Sequence, residues 1–140
     1  MADHMADKDG EARVRIRSSA DIMAARQQGR ALASRGGFSS SDLSIIASAI
    51  SEVAQNIVQY ANSGEIIITL INNTTKKGVE IVAADQGPGI GDVSRVMRDG
   101  YSTGKGLGIG LPGAKRLMDE FEIASEVGKG TTVRMKKWVT

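Results

Sequence analysis

Two polar residues stand one helical turn apart within a stretch whose apolar residues repeat with a helical period. Glu52 and Asn56 are four positions apart, so their side chains project from the same side of the predicted helix. They border its apolar stripe, which predicts a position at the rim of the core. An amide oxygen is a good ligand for Mg²⁺, and a carboxylate one turn away can accept a hydroxyl proton. Taken alone, the pair is better explained as part of a solvated helix face.

A carboxylate at the end of a predicted strand leads into a glycine-rich turn. Asp85 closes an apolar stretch that begins at Val79, and Gly87 and Gly89 follow it. Such a carboxylate can accept a hydrogen bond from an exocyclic amine, while the glycines let a flat ring approach the backbone. An ordinary Asp-x-Gly turn with a proline is the competing explanation, and for this stretch alone it is the better one.

Four glycines alternate with other residues directly before a predicted helix: Gly104, Gly106, Gly108 and Gly110. Their exposed backbone N–H groups and the positive end of the following helix dipole together suit a phosphate chain. A merely flexible linker would not place Leu107 and Ile109 between its glycines. The pattern therefore predicts a phosphate-binding loop.

Two better-known phosphate motifs do not fit this stretch. Residues 108–113 match the dinucleotide fingerprint by letter, but that fingerprint must directly follow a strand and open a βαβ unit. Lys105 is followed by Gly106 and not by Ser or Thr, so the stretch is not a P-loop. A further turn, residues 128–131, ends in Thr131 and needs no function when taken by itself.

Hydrophobic periodicity and turn residues predict the elements that must position these motifs. They come in the order β-α-α-β-β-loop-α-β-β, with a first strand around Val14 and Ile16, helices at 20–35 and from the serine cluster 39–41 to 61, strands at 65–71 and 79–85, a loop at 87–110, a helix at 109–120, and strands at 122–126 and 131–138. So long a loop is typical of a lid or binding loop. The order predicts the α+β class, a two-layer α/β sandwich with a mixed, mostly antiparallel sheet and helices on one face.

Composition limits the classes of protein that remain. The chain has 140 residues, of which 41% are apolar and 24% charged, and this is ordinary for one globular domain. Eighteen basic and sixteen acidic residues nearly balance, so we expect no nucleic-acid partner. The absence of cysteine excludes disulfides and thiolate chemistry. No apolar run is long enough for a membrane span. We expect a cytoplasmic protein with a disordered tail at 1–10 and a single domain at 11–140.

Taken in order, the four stretches resemble the N, G1, G2 and G3 boxes of GHKL (Bergerat) ATP-binding domains, and they run from Glu52 to Thr131. The resemblance implies the Bergerat fold and ATP with Mg²⁺ as cofactors. Asp85 would bind the adenine amine, and Asn56 would hold Mg²⁺. The glycine-rich box would wrap the phosphates, and Thr131 would support the base.

Three branches of this superfamily compete. Sensor histidine kinases usually carry asparagine in place of Glu52 and need a phosphoacceptor histidine, whereas the sole histidine here is His4. Gyrase-, Hsp90- and MutL-like ATPases carry the glutamate but are expected to need a transducer domain beyond Thr140. The branch that fits is the serine/threonine kinases of bacterial partner-switching systems, in which the glutamate is the base toward a protein serine.

Blocks across nearly the whole chain resemble the switch kinases of the stressosome, namely residues 24–30, 50–57, 85–90, 99–103 and 110–121. The resemblance implies a kinase that phosphorylates STAS-domain scaffold proteins, leaves them, and binds and activates a PP2C-type phosphatase. Candidate contacts to the γ-phosphate are Ser102, Thr103 and Lys105, in a loop at 90–103 that is expected to close over the nucleotide. Two alternatives stay open, an anti-sigma-factor serine kinase and a non-catalytic adaptor gated by nucleotide.

Overall fold

A computed structural model describes residues 10–73, 75–89 and 110–140. Within these residues the chain forms five strands and three helices: β1 (Glu11–Ile16), α1 (Ser19–Ser34), α2 (Ser40–Tyr60), β2 (Gly64–Asn72), β3 (Lys77–Asp85), α3 (Gly110–Leu117), β4 (Glu120–Glu126) and β5 (Gly130–Trp138). Every strand and helix predicted from the sequence is present in this order, and the predicted loop at 87–110 lies outside the described residues except for 87–89 and Gly110. The predicted tail at 1–10 lies outside the described residues except for Gly10.

The strands form one sheet in the order β1-β2-β3-β5-β4. Every pairing between the described strands is antiparallel, whereas the sequence analysis expected a mixed, mostly antiparallel sheet. Two of these pairings follow from the connectivity, because β2–β3 and β4–β5 are hairpins. In the other two pairings, β1 runs opposite to β2 and β5 runs opposite to β3. The predicted α+β class, with a sheet covered by helices on one face, is confirmed.

The core lies between the helices and that covered face. Strand residues that point toward the helices are buried, among them Ile66, Ile68 and Ile81, while Arg13 and Arg134 on the other face are exposed. The apolar stripe of α2 packs into this core through four buried side chains, Ile46, Ile50, Val53 and Ile57. Burial of one such side chain stabilises the fold by roughly 1.5–3 kcal/mol, so α2 is the best-anchored helix of the described chain.

Local signals in the sequence set the helix ends. The Ser39 side chain accepts a hydrogen bond from the Asp42 N–H at 3.1 Å and caps α2. The Asp21 carboxylate accepts hydrogen bonds from the N–H groups of Arg17 and Ser18 at the start of α1. After α2, Asn62 adopts a left-handed conformation with φ of 70°, which turns the chain into β2.

The third helix is shorter than predicted. The sequence pattern extends it to residue 120, but α3 ends at Leu117 and β4 begins at Glu120. The reason lies in β5, because the Asp119 N–H donates to the Lys136 carbonyl at 2.9 Å and the Asp119 carboxylate accepts from the Trp138 N–H at 2.7 Å. These pairings take the backbone out of the helix and start the last hairpin.

Candidate active site

The polar pair on α2 is buried in the structure. Glu52 is 5% exposed and Asn56 is 8% exposed, so the interpretation as a solvated helix face is wrong and the predicted rim position is deeper than expected. Both residues lie in the middle of a helix whose neighbouring turns are held by the core. A buried carboxylate needs a partner to compensate for lost hydration. This partner is supplied from a distant part of the chain.

Gly110 provides that partner. Its backbone N–H donates a hydrogen bond of 3.1 Å to Oε1 of Glu52, across 58 positions of sequence. Because Gly110 is the first residue of α3, the carboxylate lies at the positive end of that helix, which favours its charged form. The last glycine of the predicted phosphate loop therefore contacts the residue predicted to be the base, so the N and G2 stretches meet in space.

Asp85 is oriented by backbone donors on one oxygen only. Its Oδ1 accepts from the Gly87 N–H at 2.9 Å and from the Thr131 N–H at 3.3 Å. Within the part of the chain that the structure describes, Oδ2 accepts no hydrogen bond. A carboxylate fixed in this way presents its second oxygen as an acceptor, and this fits an exocyclic amine such as that of adenine.

Thr131 is 5% exposed and stands opposite Asp85 on β5. Its Oγ1 lies 2.7 Å from Oγ of Ser125, its register partner on β4. Ser125 was not among the residues predicted from the sequence. The one signal that could have found it is the hairpin register, because a tight turn at 127–129 places residues 125 and 131 directly opposite each other.

The β4–β5 turn packs against the loop after β3. The Gly128 N–H donates to the Pro88 carbonyl at 2.8 Å. A Cβ at Gly89 would overlap the Glu126 carbonyl, and one at Gly130 would overlap the Asp85 carbonyl; both glycines have positive φ, 79° and 110°. Gly89 and Gly130 are therefore needed for contact between the two turns, a reason that the sequence analysis did not give.

These contacts are arranged along α2. Glu52 contacts the start of α3. At the end of α2, Ala61 packs closely on Gly87, because a Cβ added to Gly87 would lie 2.6 Å from the Ala61 side chain. The nine steps along the chain from Glu52 to Ala61 correspond to about 13 Å of helix. The Asp85 end and the Glu52 end are thus separated along one rigid element, with Asn56 between them.

Several predicted site residues fall outside the described residues: Ser102, Thr103, Gly104, Lys105, Gly106 and Gly108. In the described chain no group of three or more histidine, cysteine or carboxylate side chains could hold a metal ion. No helix in the described ranges is both long and apolar enough to span a membrane.

Two depressions among the described residues adjoin the predicted site residues. A wide one of about 740 Å³ is lined by Arg15, Arg17 and Thr132 and reaches Asp85 at the end of β3. A smaller one of about 300 Å³ is lined by residues of α1 and α2 and includes Glu52. The larger depression therefore adjoins the Asp85 end of the site, and the smaller one adjoins the Glu52 end.

The fold and the candidate site can now be compared with those of known protein families. The family of histidine kinase-like ATPase domains matches residues 17–137, and the chain belongs to that family. Within it the chain is an RsbT-like protein serine/threonine kinase: it is 52% identical over 126 residues to the serine/threonine-protein kinase RsbT of Bacillus subtilis, covering 90% of this chain and 95% of that protein. An anti-sigma F factor of Caldanaerobacter subterraneus is 33% identical over 102 residues, covering 70% and 71%.

Solved structures support the fold. A structure of the RsbU and RsbW domains of a Mycobacterium tuberculosis protein superposes with a TM-score of 0.60 at 22% identity, over 89% of this chain and 32% of that one. The mycobacterial sensor histidine kinase MprB superposes with a TM-score of 0.53 at 17% identity, over 90% and 95%. At these identities the likeness concerns the fold alone. The prediction of an ATP-using kinase of the partner-switching type is confirmed by the family and the curated relatives.

Proposed function

We propose that this kinase phosphorylates a serine or threonine of a STAS-domain scaffold protein in a cytoplasmic stress-response pathway, with Glu52 as the catalytic base. After release from the scaffold it binds and activates a PP2C-type phosphatase. The catalytic role of Glu52 in this proposal is supported by its burial and by the hydrogen bond that its carboxylate accepts from the first N–H of α3. A glutamate with a merely structural task would not be expected at the end of the phosphate loop.

The described residues fit ATP at the adenine end. Asp85 offers Oδ2 to the amine while its Oδ1 is fixed, and Thr131 lies beside it, buried and bonded to Ser125. We assign Gly87, Gly89 and the G2 glycines to the nucleotide site as well. The position of Asn56, one turn from Glu52 toward the Asp85 end of α2, is the one expected for a residue at the phosphates.

Asn56 would hold Mg²⁺ through its side-chain oxygen, a ligand type that this ion accepts. Bound there, Mg²⁺ would neutralise charge on the phosphates during transfer. The described residues hold no cluster of carboxylates or histidines that could bind a metal ion, so in this proposal the phosphates supply further ligands to Mg²⁺. Ser102, Thr103 and Lys105 remain proposed contacts to the γ-phosphate.

Glu52 performs the proton transfer in this proposal. Its Oε1 is engaged by Gly110, which fixes the direction of the carboxylate. The acceptor hydroxyl gives its proton to the carboxylate as it attacks, a contribution of roughly 10²–10⁴ in rate for a well-placed base. The base is thereby joined to Gly110, the last glycine of the proposed phosphate loop, which couples it to the nucleotide site.

An anti-sigma-factor kinase is the second candidate, favoured by several anti-sigma F factors among the relatives, such as the one 33% identical over 70% of this chain. Such a protein would bind a sigma factor in addition to its substrate. A non-catalytic adaptor gated by ATP and ADP would use the same Asp85 site, but it has no need of a carboxylate at Glu52.

The direct experiment is intact-mass analysis of a STAS-domain scaffold protein after incubation with Mg-ATP and the kinase. We expect one added phosphate with the wild type and none with Glu52→Ala. Glu122→Ala is the matched control, since it removes an exposed carboxylate from β4 and should leave transfer unchanged. An unmodified scaffold with wild-type protein that binds ATP would favour the adaptor. Transfer by Glu52→Ala at the wild-type rate would exclude the glutamate as base.

A further inference from the structure

The wide depression at the end of the sheet has no task in the proposed reaction, and we call it the sheet-end depression. Its volume of about 740 Å³ is within the range of binding pockets. It is lined by residues near the ends of β1, β2, β3 and β5 and by the β4–β5 turn, among them Arg15, Arg17, Glu65, Ala84, Lys129 and Thr132. Because four hydrogen-bonded strands form it, its shape is set by the sheet and does not depend on a ligand.

The floor of the sheet-end depression lies on the face of the sheet that carries no helix. Its residues are consecutive register partners across four strands, namely Arg15, Glu65, Ala84 and Thr132. Each of them is next in sequence to a residue buried in the core, as Glu65 is to Ile66, and successive side chains of a strand point to opposite faces. The proposed base lies on α2, on the other side of the sheet. A partner held on this face therefore does not take the place of the substrate.

Small side chains make the middle of this floor low. Ala84 and Thr132 are register partners, and the exposed Ala124 continues their row on β4. The next row along the strands carries the longer Arg134, which pairs with Glu80 at 3.3 Å and bounds the floor on that side. A row of small side chains between longer ones accepts a segment of another protein that lies across the strands.

Basic side chains stand at both ends of this row. The exposed Arg15 side chain makes no ion pair or hydrogen bond across the described ranges. At the β4–β5 turn, Lys129 pairs with Glu126 at 3.5 Å, but both side chains are exposed, and such pairs are weak. The carboxylate of Glu65 is already paired with Arg13 at 3.2 Å. The sheet-end depression therefore favours an acidic segment of a partner protein.

We propose that the sheet-end depression docks an acidic segment of the PP2C-type phosphatase that the kinase activates. A carboxylate of that segment pairs with Arg15, and its backbone lies over Ala84 and Thr132. A substrate has to bring its hydroxyl to Glu52, whereas an activated partner gives no atom to the reaction and can bind on the opposite face. The inference rests on the proposed function and adds the docking surface and the chemistry of recognition.

The first test is the dissociation constant of the kinase for the phosphatase, measured by calorimetric titration. We expect Arg15→Glu to raise it about tenfold or more, because the charge reversal replaces attraction by repulsion, and Arg15→Lys to stay within about threefold of wild type. Thr132→Tyr should also raise it about tenfold, since the larger side chain fills the floor and is still suited to a strand. Added salt should weaken wild-type binding more than that of Arg15→Glu, because salt screens exposed charges.

Lys77→Glu is the matched control for the charge reversal. Lys77 is exposed and begins β3, the strand that ends at the depression with Asp85, and the eight steps between them span about 26 Å. Its dissociation constant should equal that of wild type. Phosphorylation of the STAS-domain scaffold by Arg15→Glu should stay within about twofold of wild type, because Arg15 lies on the opposite face from α2. Thermal unfolding checks that all variants are folded.

A crosslinking experiment identifies what lies in the depression. The chain contains no cysteine, so Thr132→Cys provides a single attachment point for a photo-crosslinker. We expect it to crosslink to the phosphatase at a segment rich in aspartate and glutamate, located by mass spectrometry, and we expect no such crosslink from Lys77→Cys. A crosslink mainly to a second copy of this chain, or to a segment of the phosphatase without acidic residues, would overturn the proposal.

Failure of this inference and failure of the proposed function give different results. Wild-type affinity for the phosphatase in both Arg15→Glu and Thr132→Tyr would overturn the docking site and leave the proposed function standing. A parallel loss of scaffold phosphorylation in Arg15→Glu would overturn it too, since the face would then serve the substrate or the fold. A wild-type kinase that binds no phosphatase would remove that part of the proposed function and this inference with it.

Discussion

The two ends of the site are built in different ways. At the Asp85 end, a carboxylate is fixed by two backbone N–H groups, and two glycine turns pack directly on each other. At the Glu52 end, a buried carboxylate on a core helix is held by a backbone N–H that begins another helix. The Asp85 carboxylate is held in place and presents a second oxygen as an acceptor, which suits ligand binding. The orientation of the Glu52 carboxylate depends on the position of α3, so a shift of that helix would alter the proposed proton transfer.

Because the Asp85 and Glu52 ends are built differently, we expect mutations to separate nucleotide affinity from phosphoryl transfer. The Asp85 end is assembled from backbone contacts between neighbouring turns, so damage to those turns should affect stability and ATP binding together. Loss of the Asp85 acceptor oxygen alone should affect ATP binding and leave stability nearly unchanged. The Glu52 end is joined to the rest of the site through α3, so an isosteric change of the side chain should leave both stability and ATP binding nearly intact.

The largest expected effect on stability is at the contact between the turns. Gly130→Ala should lower the free energy of unfolding by about 2–4 kcal/mol, because the new Cβ meets the Asp85 carbonyl at a positive φ of 110°. Gly128→Ala is the control, since φ is also positive at 84° but nothing lies within 4 Å of the added Cβ. It should cost about 1–2 kcal/mol. Urea unfolding measures both, and equal losses would show that the packing contact is unimportant.

A smaller effect is expected for the acceptor oxygen itself. Asp85→Asn keeps Oδ1 for Gly87 and Thr131 but replaces Oδ2 by an NH₂ group, which cannot accept a hydrogen bond from an amine. We expect ATP affinity to fall roughly 10- to 100-fold while urea unfolding changes little. Calorimetric titration with Mg-ATP measures this. Wild-type affinity in the variant would show that Asp85 does not contact the base.

The smallest effect is expected at Ser125. Ser125→Ala removes a hydroxyl that lies 2.7 Å from Thr131 Oγ1, which should lower stability by about 0.5–1.5 kcal/mol and weaken ATP binding a few-fold. Ser125→Thr keeps a hydroxyl and should lie between this variant and wild type. Thermal unfolding with and without ATP checks both effects. A stability unchanged in Ser125→Ala would show that the hydroxyl pair contributes nothing.

The sequence predicted what depends on local patterns. Helical periodicity fixed the place of α2, and turn residues marked both hairpins, so the order of elements and the α+β class could be derived without the structure. The end of α3 was predicted wrongly, since it depends on the hydrogen bond that the Asp119 N–H donates to the Lys136 carbonyl and on the one that the Asp119 carboxylate accepts from the Trp138 N–H of β5. Such pairings are not visible in a local pattern.

The chemistry of the site was predictable in part. The types and spacing of Glu52, Asn56 and Asp85 suggested the tasks that we propose for them, but the hydrogen bond from Gly110 to Glu52 joins residues 58 positions apart and is not visible in the sequence. The role of Ser125 depends on cross-strand register. The packing of Gly89 against the last hairpin likewise follows from tertiary structure alone.

We propose that Glu52 takes part in proton transfer and that Asp85 takes part in ATP binding. Single-turnover phosphorylation of a STAS-domain scaffold protein, with the ATP concentration raised to saturation for each variant, tests this division of roles. Glu52→Gln keeps an oxygen for the Gly110 N–H but is a poor proton acceptor, so its transfer rate should stay roughly 10²–10⁴-fold below wild type at any ATP concentration. Asp85→Asn should recover most of the wild-type rate once saturated. Recovery of Glu52→Gln at high ATP would contradict the account.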